Sequence, residues 1–327
     1  MTRPEVAVLV NAAAGRGRAA RATTAVLAAL TAGGVRPRVL AAATRTAAEQ
    51  QAAAAVADGV AAVAALGGDG AAHAALQAVA GTATPLALLP AGSGNDLATA
   101  LGVPADPVRA ASALTADLHA GRSRRIDVAR TGERWWGTVL CCGFDSAVTD
   151  RANRLRWPRG PRRYDLAILL ELARLRPRAV TLTVDGDVRE REVTLVAVGN
   201  TPWYGGGLKI APGADPADGL LEVVVIGPVS RRELVRTRPR LADGSHVGHP
   251  AVTVLRGREI GLAGAGLTTW ADGEPIGALP ATTVCVPGAL TVLGAAPPHH
   301  NGHFGGTAGT TGGAVGERLT WGHVQPG

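Results

Sequence analysis

Aromatic residues make up only 3% of this 327-residue chain, although 46% of it is hydrophobic. A core must therefore be built from Ala, Val and Leu, and the length suits two domains of ordinary size. Lysine is nearly missing: Lys209 stands alone, so the net charge of +7 is carried by arginine. A basic balance suits an anionic partner, whether nucleic acid, anionic membrane or nucleotide. A chain-wide bias toward Arg and Ala would look the same. No basic stretch alternates with aromatics, so no nucleic-acid partner is expected. The three cysteines, Cys141, Cys142 and Cys285, are odd in number and lack metal-ligand spacing. They read as reduced, buried thiols of a cytosolic protein. Adjacent Cys141 and Cys142 in a strand would face opposite ways, which excludes a shared role. Long uncharged apolar runs are absent too. The Ala-rich stretch 52–66 is interrupted by Asp58, and Arg3 and Glu5 precede a short strand rather than a signal-peptide core. These absences predict a soluble, cytoplasmic protein that meets a membrane only at its surface.

What is present is glycine at the ends of apolar strands. Val60-Ala61-Ala62-Val63-Ala64-Ala65 reads as a buried strand and runs into Leu66-Gly67-Gly68-Asp69-Gly70. Leu86-Ala87-Leu88-Leu89 runs into Pro90-Ala91-Gly92-Ser93-Gly94-Asn95-Asp96. Glu5–Val10 runs into Asn11-Ala12-Ala13-Ala14-Gly15-Arg16-Gly17 and then an Ala-rich helix to about Leu30. Arg36–Leu40 is another strand, and Thr44 can cap a helix reaching about Asp58. Helices follow from Ala71 to about Ala80, up to Gly102, and over Ala105–Ala116. Repeated strand–helix alternation predicts a parallel sheet with helices on both faces. Ligands of such sheets bind at the strands' C-terminal ends, where all three glycine turns fall. Glycine lacks a Cβ, so backbone N–H groups there can approach a phosphate. A Gly/Asp cluster alone is equally an ordinary turn.

The pattern changes near Gly121. Arg124–Ala129, Trp136–Cys142, Ala179–Val184, Glu192–Val198, Leu220–Ile226, Glu259–Leu262 and Thr282–Val286 read as strands. One helix is expected at about Arg163–Leu175 and another over Ser230–Thr237. That succession predicts a mainly antiparallel β-sandwich or barrel. The expected domains are residues 1–120, residues 121–296, and a Gly/His/Thr/Pro-rich tail, 297–327, expected to be disordered. His299, His300 and His303 in that tail read as solvated rather than as a metal site. Asp185-Gly186 reads as a hairpin turn only.

Four constellations thus stand in order: Asn11 with Gly15-Arg16-Gly17, then Gly67-Gly68-Asp69-Gly70, then the 90–96 turn, then two acidic motifs. The first of these is Gly205-Gly206-Gly207-Leu208-Lys209-Ile210-Ala211-Pro212-Gly213-Ala214-Asp215-Pro216-Ala217-Asp218-Gly219; the second is Asp272-Gly273-Glu274. The set resembles the diacylglycerol kinase catalytic-domain family, in particular soluble bacterial lipid kinases related to sphingosine kinases and, distantly, to NAD kinases. The likeness runs from about Val6 to Leu293. It implies an NAD kinase/diacylglycerol kinase-like fold, ATP as phosphate donor, and phosphorylation of diacylglycerol to phosphatidic acid. A sphingoid base or other lipid alcohol, or a non-catalytic nucleotide- or lipid-binding relative, are the alternatives. NAD kinase is a weaker one, because the GGG loop and the DGE motif argue against it.

Asn11, Gly67, Gly68, Asp69, Gly70, Gly92, Ser93 and Asn95 would make the nucleotide site. Asp69 would repel phosphate without a divalent cation, so Mg²⁺ is expected, held mostly by phosphate and water. Arg16 or Arg18 either counters phosphate charge or is solvated. By resemblance Asp272 is the general base for the attacking hydroxyl, with Glu274 beside it. Asp215, Asp218 and the carbonyl near Leu220 would hold a second, structural Mg²⁺ tying the domains together. The resemblance also implies a homodimer and a lipid substrate taken at the inner face of the membrane. The basic span Arg151–Arg163, with Leu155, Trp157 and Tyr164 interleaved, either rests on an anionic membrane or is a solvated loop. Departures from the family pattern are Ala71 for Thr, His73 for Asn, Ala74 for Glu and Ala12 for Pro. The missing hydroxyl and carboxylate are expected to weaken nucleotide contacts or anchoring of the turn.

Overall fold

The computed structural model describes residues 3–11, 14–155, 157 and 162–296; within these, the side chains of Arg16, Asn153 and residues 162–165 are not described. The expected disordered tail, its histidines and Ala12 lie outside the described residues. Apolar strands and Ala-rich helices alternate first: β1 (Glu5–Val10), α1 (Ala14–Ala32), β2 (Arg36–Ala41), α2 (Arg45–Ala57), β3 (Ala62–Gly67), α3 (Asp69–Val79), β4 (Leu86–Pro90), α4 (Asp96–Ala100) and α5 (Pro107–Ala120). Thr44 caps α2 by accepting from Ala47 N at 3.2 Å, and Asp106 caps α5 through Val108 N and Arg109 N. The strands β2-β1-β3-β4 pair in parallel. β1, β3 and β4 are apolar on both faces because helices cover both, while the edge strand β2 buries only Leu40.

A mostly β succession follows: β5 (Arg124–Thr131), β6 (Arg134–Trp136), β7 (Val139–Gly143), α6 (Phe144–Arg154), α7 (Arg162–Ala173), β8 (Arg178–Val184), β9 (Asp187–Val193), β10 (Leu195–Gly199), β11 (Trp203–Tyr204), β12 (Leu208–Lys209), β13 (Leu221–Ile226) and α8 (Arg231–Thr237). The chain ends in β14 (Val252–Gly257), β15 (Glu259–Ala263), β16 (Thr268–Ala271), β17 (Glu274–Ala278) and β18 (Ala281–Leu293). A six-stranded antiparallel sheet runs β14-β13-β10-β7-β16-β17. Strands β11 and β12 pair only with each other, and the other antiparallel strands form no sheet of their own. They extend the parallel one, which runs β2-β1-β3-β4-β18-β15-β8-β9, with β5 and β6 branching off β18. β18 makes the join: it pairs antiparallel with β5 and β15, then parallel with β4 through Val292–Leu86 and Leu293–Ala87.

Side-chain alternation sorts the sandwich. Val196 and Val198 of β10 pack between the two sheets, while Leu195 and Ala197 pack on the outer face. Cys142 faces inward and Cys141 outward, and all three cysteines are buried and unpaired with each other. Several boundaries differ from the sequence reading. The helix expected from Ala71 begins at Asp69, so the GGDG stretch is half turn and half helix. An acidic residue in the first turn suits the helix dipole. The strand expected over Trp136–Cys142 breaks at Gly137-Thr138, whose N–H groups go to a side chain instead of a neighbouring strand. The strand expected over Glu192–Val198 divides at Thr194, where the chain passes from one sheet to the other. Helix α6 takes in Arg151 and Arg154, the beginning of the expected basic loop.

Candidate active site

The first two glycine turns touch backbone to backbone. Gly67 O accepts from Ala91 N at 2.7 Å and from Gly92 N at 3.0 Å. A Cβ on Gly92 would lie 2.3 Å from Gly68 Cα, so no other residue fits there without moving the turn. Asn11 lies against the same place: its N donates to Leu66 O at 3.1 Å, and a Cβ on Gly67 would meet its Cβ at 3.3 Å. Arg18 donates to Gly92 O, which draws its guanidinium against the turn.

Asn95 is left-handed, with φ 66°, and its side chain closes its own turn. Its Oδ1 accepts from Gly92 N at 2.9 Å and its Nδ2 donates to Gly92 O at 3.1 Å. The donor expected to meet a phosphate is therefore used internally. Ser93 is exposed at the same turn. Asp69 reaches across instead, accepting from Asn95 N at 2.9 Å and Asp96 N at 2.7 Å. It thus caps α4.

Asp96 carries the site toward the β-rich half. It is 7% exposed, and both its oxygens accept from Gly206 N, at 3.0 and 3.1 Å. Gly205, Gly206 and Gly207 all have positive φ (60°, 81° and 114°), a run that side chains would strain. Burial, then the nearby Asp69, pushes the Asp96 carboxyl up to about 6. Burial also raises Asp69, with Asp272 adding to it.

Asp272 arrives from the far end of the chain. It sits at φ 53° between β16 and β17. Its Oδ1 accepts from Thr138 N at 2.8 Å and Thr138 Oγ1 at 2.6 Å; its Oδ2 accepts from Gly137 N at 3.0 Å and meets His73 Nδ1 at 3.0 Å. Burial alone would raise this carboxyl, yet His73, Thr138 and Gly137 hold it below the usual carboxylate range. Glu274 pairs with Arg45, and its Oε1 would lie 3.2 Å from a Cβ on Gly70. The GGDG turn, the GSGND turn, the triple-glycine loop and the DGE motif therefore meet at one place.

The expected second metal loop is folded on itself. Asp215 Oδ1 accepts from Ala217 N at 3.1 Å, Asp218 Oδ1 from Leu220 N at 2.9 Å, and Asp218 also pairs with Arg256. Buried Asp127 accepts from Gly219 N and Gly288 N, both at 2.7 Å, tying this loop to β18. Among the described residues, no three of His, Cys, Asp and Glu form a group able to hold a metal ion by themselves.

The comparisons with known proteins agree with this arrangement. Residues 5–131 match the model of the diacylglycerol kinase catalytic domain. Residues 138–294 match that of the YegS C-terminal NAD kinase beta sandwich-like domain. A protein of Mycobacterium tuberculosis (strain ATCC 25618 / H37Rv) named diacylglycerol kinase is 41% identical over 295 residues, covering 88% of this chain and 94% of its own. The chain belongs to the diacylglycerol kinase catalytic-domain family. It is accordingly a lipid kinase, with ATP as phosphate donor and a lipid as acceptor. A probable lipid kinase YegS-like protein of Stenotrophomonas maltophilia (strain K279a) is 32% identical over 255 residues, covering 74% of this chain and 82% of its own. A solved structure of a diacylglycerol kinase from Bacillus anthracis str. Sterne superposes with a TM-score of 0.67 at 20% identity, covering 88% of this chain and 96% of that one. This last likeness shows the fold, an α/β lobe with a mainly parallel sheet followed by antiparallel strands.

Several residues of this candidate site were invisible in the sequence. Asp96 stands in its motif with no role of its own; its burial against Gly206 depends on a loop over a hundred positions away. Thr138, Arg134 and Glu49 carry no motif at all. His73 was noted only as a departure, and its partner Asp272 is 199 positions distant. Ala71 and Ala74 are buried below the turn, and a Cβ on Gly67 would come within 2.7 Å of the Ala71 methyl.

Proposed function

We propose that this lipid kinase phosphorylates the primary hydroxyl of diacylglycerol, with Mg²⁺ accompanying ATP. The name of its Mycobacterium tuberculosis relative supports that acceptor. The observation that carries the reading is the placement of Asp272. Donors from α3 and from the β6–β7 break hold this carboxylate beside the GGDG turn, though it comes from the last quarter of the chain.

In this reading residues 1–120 hold the nucleotide and residues 121–296 the lipid. Backbone groups around Asn11, Gly67–Gly70, Gly92 and Ser93 line the phosphates, with Asn95 setting the shape of the turn rather than touching the ligand. Asp272 takes the proton of the acceptor hydroxyl. The acceptor oxygen bonds to the γ-phosphorus as the bond to the β–γ bridging oxygen breaks, and ADP leaves. Glu274, neutralised by Arg45, supports that end of the site.

Asp69, Asp96 and Asp272 bring negative charge together, and the first two are raised by burial, which fits a divalent cation. Asp69 is the carboxylate we assign to Mg²⁺, the remaining ligands being phosphate and water, the usual pattern for this ion. When bound, the ion neutralises phosphate charge. We assign a second cation to Asp215, Asp218 and the carbonyl near Leu220. The nearby buried Glu222, raised by burial and by Asp218, supports surplus negative charge there. Arg256 would have to release Asp218 to admit it. The α6–α7 hairpin, with Trp157 78% exposed and Arg154 and Leu169 exposed, is the surface we assign to a peripheral contact with the membrane's inner face.

The test is phosphate transfer from labelled ATP to a lipid panel in mixed micelles, with Mg²⁺ and with chelator. Mg²⁺-dependent product on diacylglycerol is expected; product only on a sphingoid base or another lipid alcohol would change the acceptor. Asp272→Asn is expected to lower kcat by about 10²–10⁴-fold while ATP still binds. Unchanged turnover would remove Asp272 as the base.

A further inference from the structure

Asp272 has a surplus of partners for a group that must take a proton. A carboxylate offers about four lone-pair positions. Here Gly137 N, Thr138 N, Thr138 Oγ1 and His73 Nδ1 meet them, all within 3.0 Å. An acceptor hydroxyl can reach the carboxylate only by taking the place of one of these donors.

The donors differ in freedom. Two are backbone N–H groups fixed by the β6–β7 break. The third, His73, has no exposed side-chain surface and is locked from behind. Its Nε2 faces Arg134 Nη2 at 3.2 Å and Gln77 Nε2 at 3.3 Å. A guanidinium can only donate, so Nε2 accepts, the proton sits on Nδ1, and Nδ1–H points at Asp272. Arg134 is itself held by Glu49 through two bonds of 2.7 and 2.9 Å. Gln77 is pinned to the backbone of Trp135 at both its amide atoms, at 2.7 and 3.0 Å. Only the Thr138 hydroxyl turns about a single bond.

We propose that His73 is a positioning residue for phosphoryl transfer: the chain Glu49–Arg134–His73 fixes Asp272 Oδ2, and the acceptor hydroxyl meets Oδ1 in the place of the Thr138 hydroxyl. The inference rests on the lipid-kinase reading above, with Asp272 as base. It also gives the Asn-to-His departure at position 73 a role. The imidazole reaches across from α3 to the DGE turn and presents one N–H to one oxygen.

The test compares His73→Ala, His73→Asn and Thr138→Val in the full chain. His73→Ala is expected to lower kcat roughly 10–100-fold, the scale for losing a partner that orients a reacting group, with KM for ATP within about twofold. His73→Asn, whose side-chain amide retains an N–H donor, is expected to recover most of that loss. Thr138→Val keeps the backbone N–H and is expected to lower kcat by less than His73→Ala does. Equal loss in His73→Ala and His73→Asn, both folded, would overturn the proposal; so would a Thr138→Val loss as large as that of His73→Ala. A raised KM for ATP with unchanged kcat would also overturn it, by making His73 a structural support of the nucleotide turn. Independently of turnover, ¹⁵N-histidine NMR should show His73 with the proton on Nδ1, and the Nδ1–H resonance should shift in Asp272→Asn. An Nε2–H tautomer would sink the positioning role even in an active kinase. Wild-type protein with the expected tautomer but no transfer to any lipid would instead remove the kinase reading, leaving the His73–Asp272 contact standing.

Discussion

Asp96 and Asp272 are both buried carboxyls whose ionisation ends in opposite places. Asp272 gains enough donors to overcome burial, whereas the backbone N–H groups of Gly206 and Gly207 do not offset burial and the nearby Asp69 charge at Asp96. The consequences for pH are opposite in sign. The lowered Asp272 contributes stability above its ordinary value, and this is lost as pH falls through its folded value. The raised Asp96 binds its proton more tightly in the folded state, so the folded state loses stability as pH rises from about 4 through about 6. Urea midpoints of wild type and Asp96→Asn should therefore diverge across that window, in favour of the variant, and run parallel above it. The acidic limb of kcat should lie below the ordinary carboxylate range, where Asp272 titrates. A limb near pH 6 would make Asp96 the group controlling turnover. None of this was readable beforehand, because the shifts come from neighbours remote in sequence.

At the level of elements, the glycine turns were legible because strand ends followed by Gly and Asp are a local signal. What the turns do was not. The tightest point is Gly92 against Gly68, and a methyl there must push one turn off the other. Gly92→Ala is expected to weaken ATP binding at least tenfold by calorimetry, with circular dichroism retained. Gly277→Ala, where a Cβ meets nothing within 4 Å, is the control and should bind normally. Elements with few apolar residues were missed. Helix α6 reads Phe-Asp-Ser-Ala-Val-Thr-Asp-Arg-Ala-Asn-Arg, with only Phe144, Ala147, Val148 and Ala152 apolar, and buries only a small cluster with α7. Strands β16 and β17 are short, and β9 is mostly charged, an edge strand whose pattern marks exposure rather than pairing.

For the whole molecule, the shared sheet matters more than the two-part reading of the sequence. The match to the catalytic-domain model ends at residue 131, yet β4 takes its outer neighbour from β18, at the end of the described chain. Leu290, Val292 and Leu293 of that strand pack in the core of the first lobe. A fragment of residues 1–131 would expose the paired edge of β4 and lose those side chains. It is expected to be aggregation-prone or unfolded by circular dichroism, while the full chain unfolds in one urea transition. A cooperatively folded, soluble 1–131 fragment would show that β18 is dispensable.

The amino-acid order by itself determined the αβ alternation, the position of each glycine turn and the presence of carboxylates suited to phosphoryl transfer. These are local properties: periodicity of apolar residues, the missing Cβ of glycine, the charge of Asp. Tertiary structure alone decided which of those groups meet. It placed His73 of α3 on Asp272, Asp96 on Gly206, and β18 beside β4, because pairing across one to two hundred positions is set by sheet register and core packing. It also decided which expected ligand groups turn inward, since the Asn95 side-chain amide bonds Gly92 within its own turn.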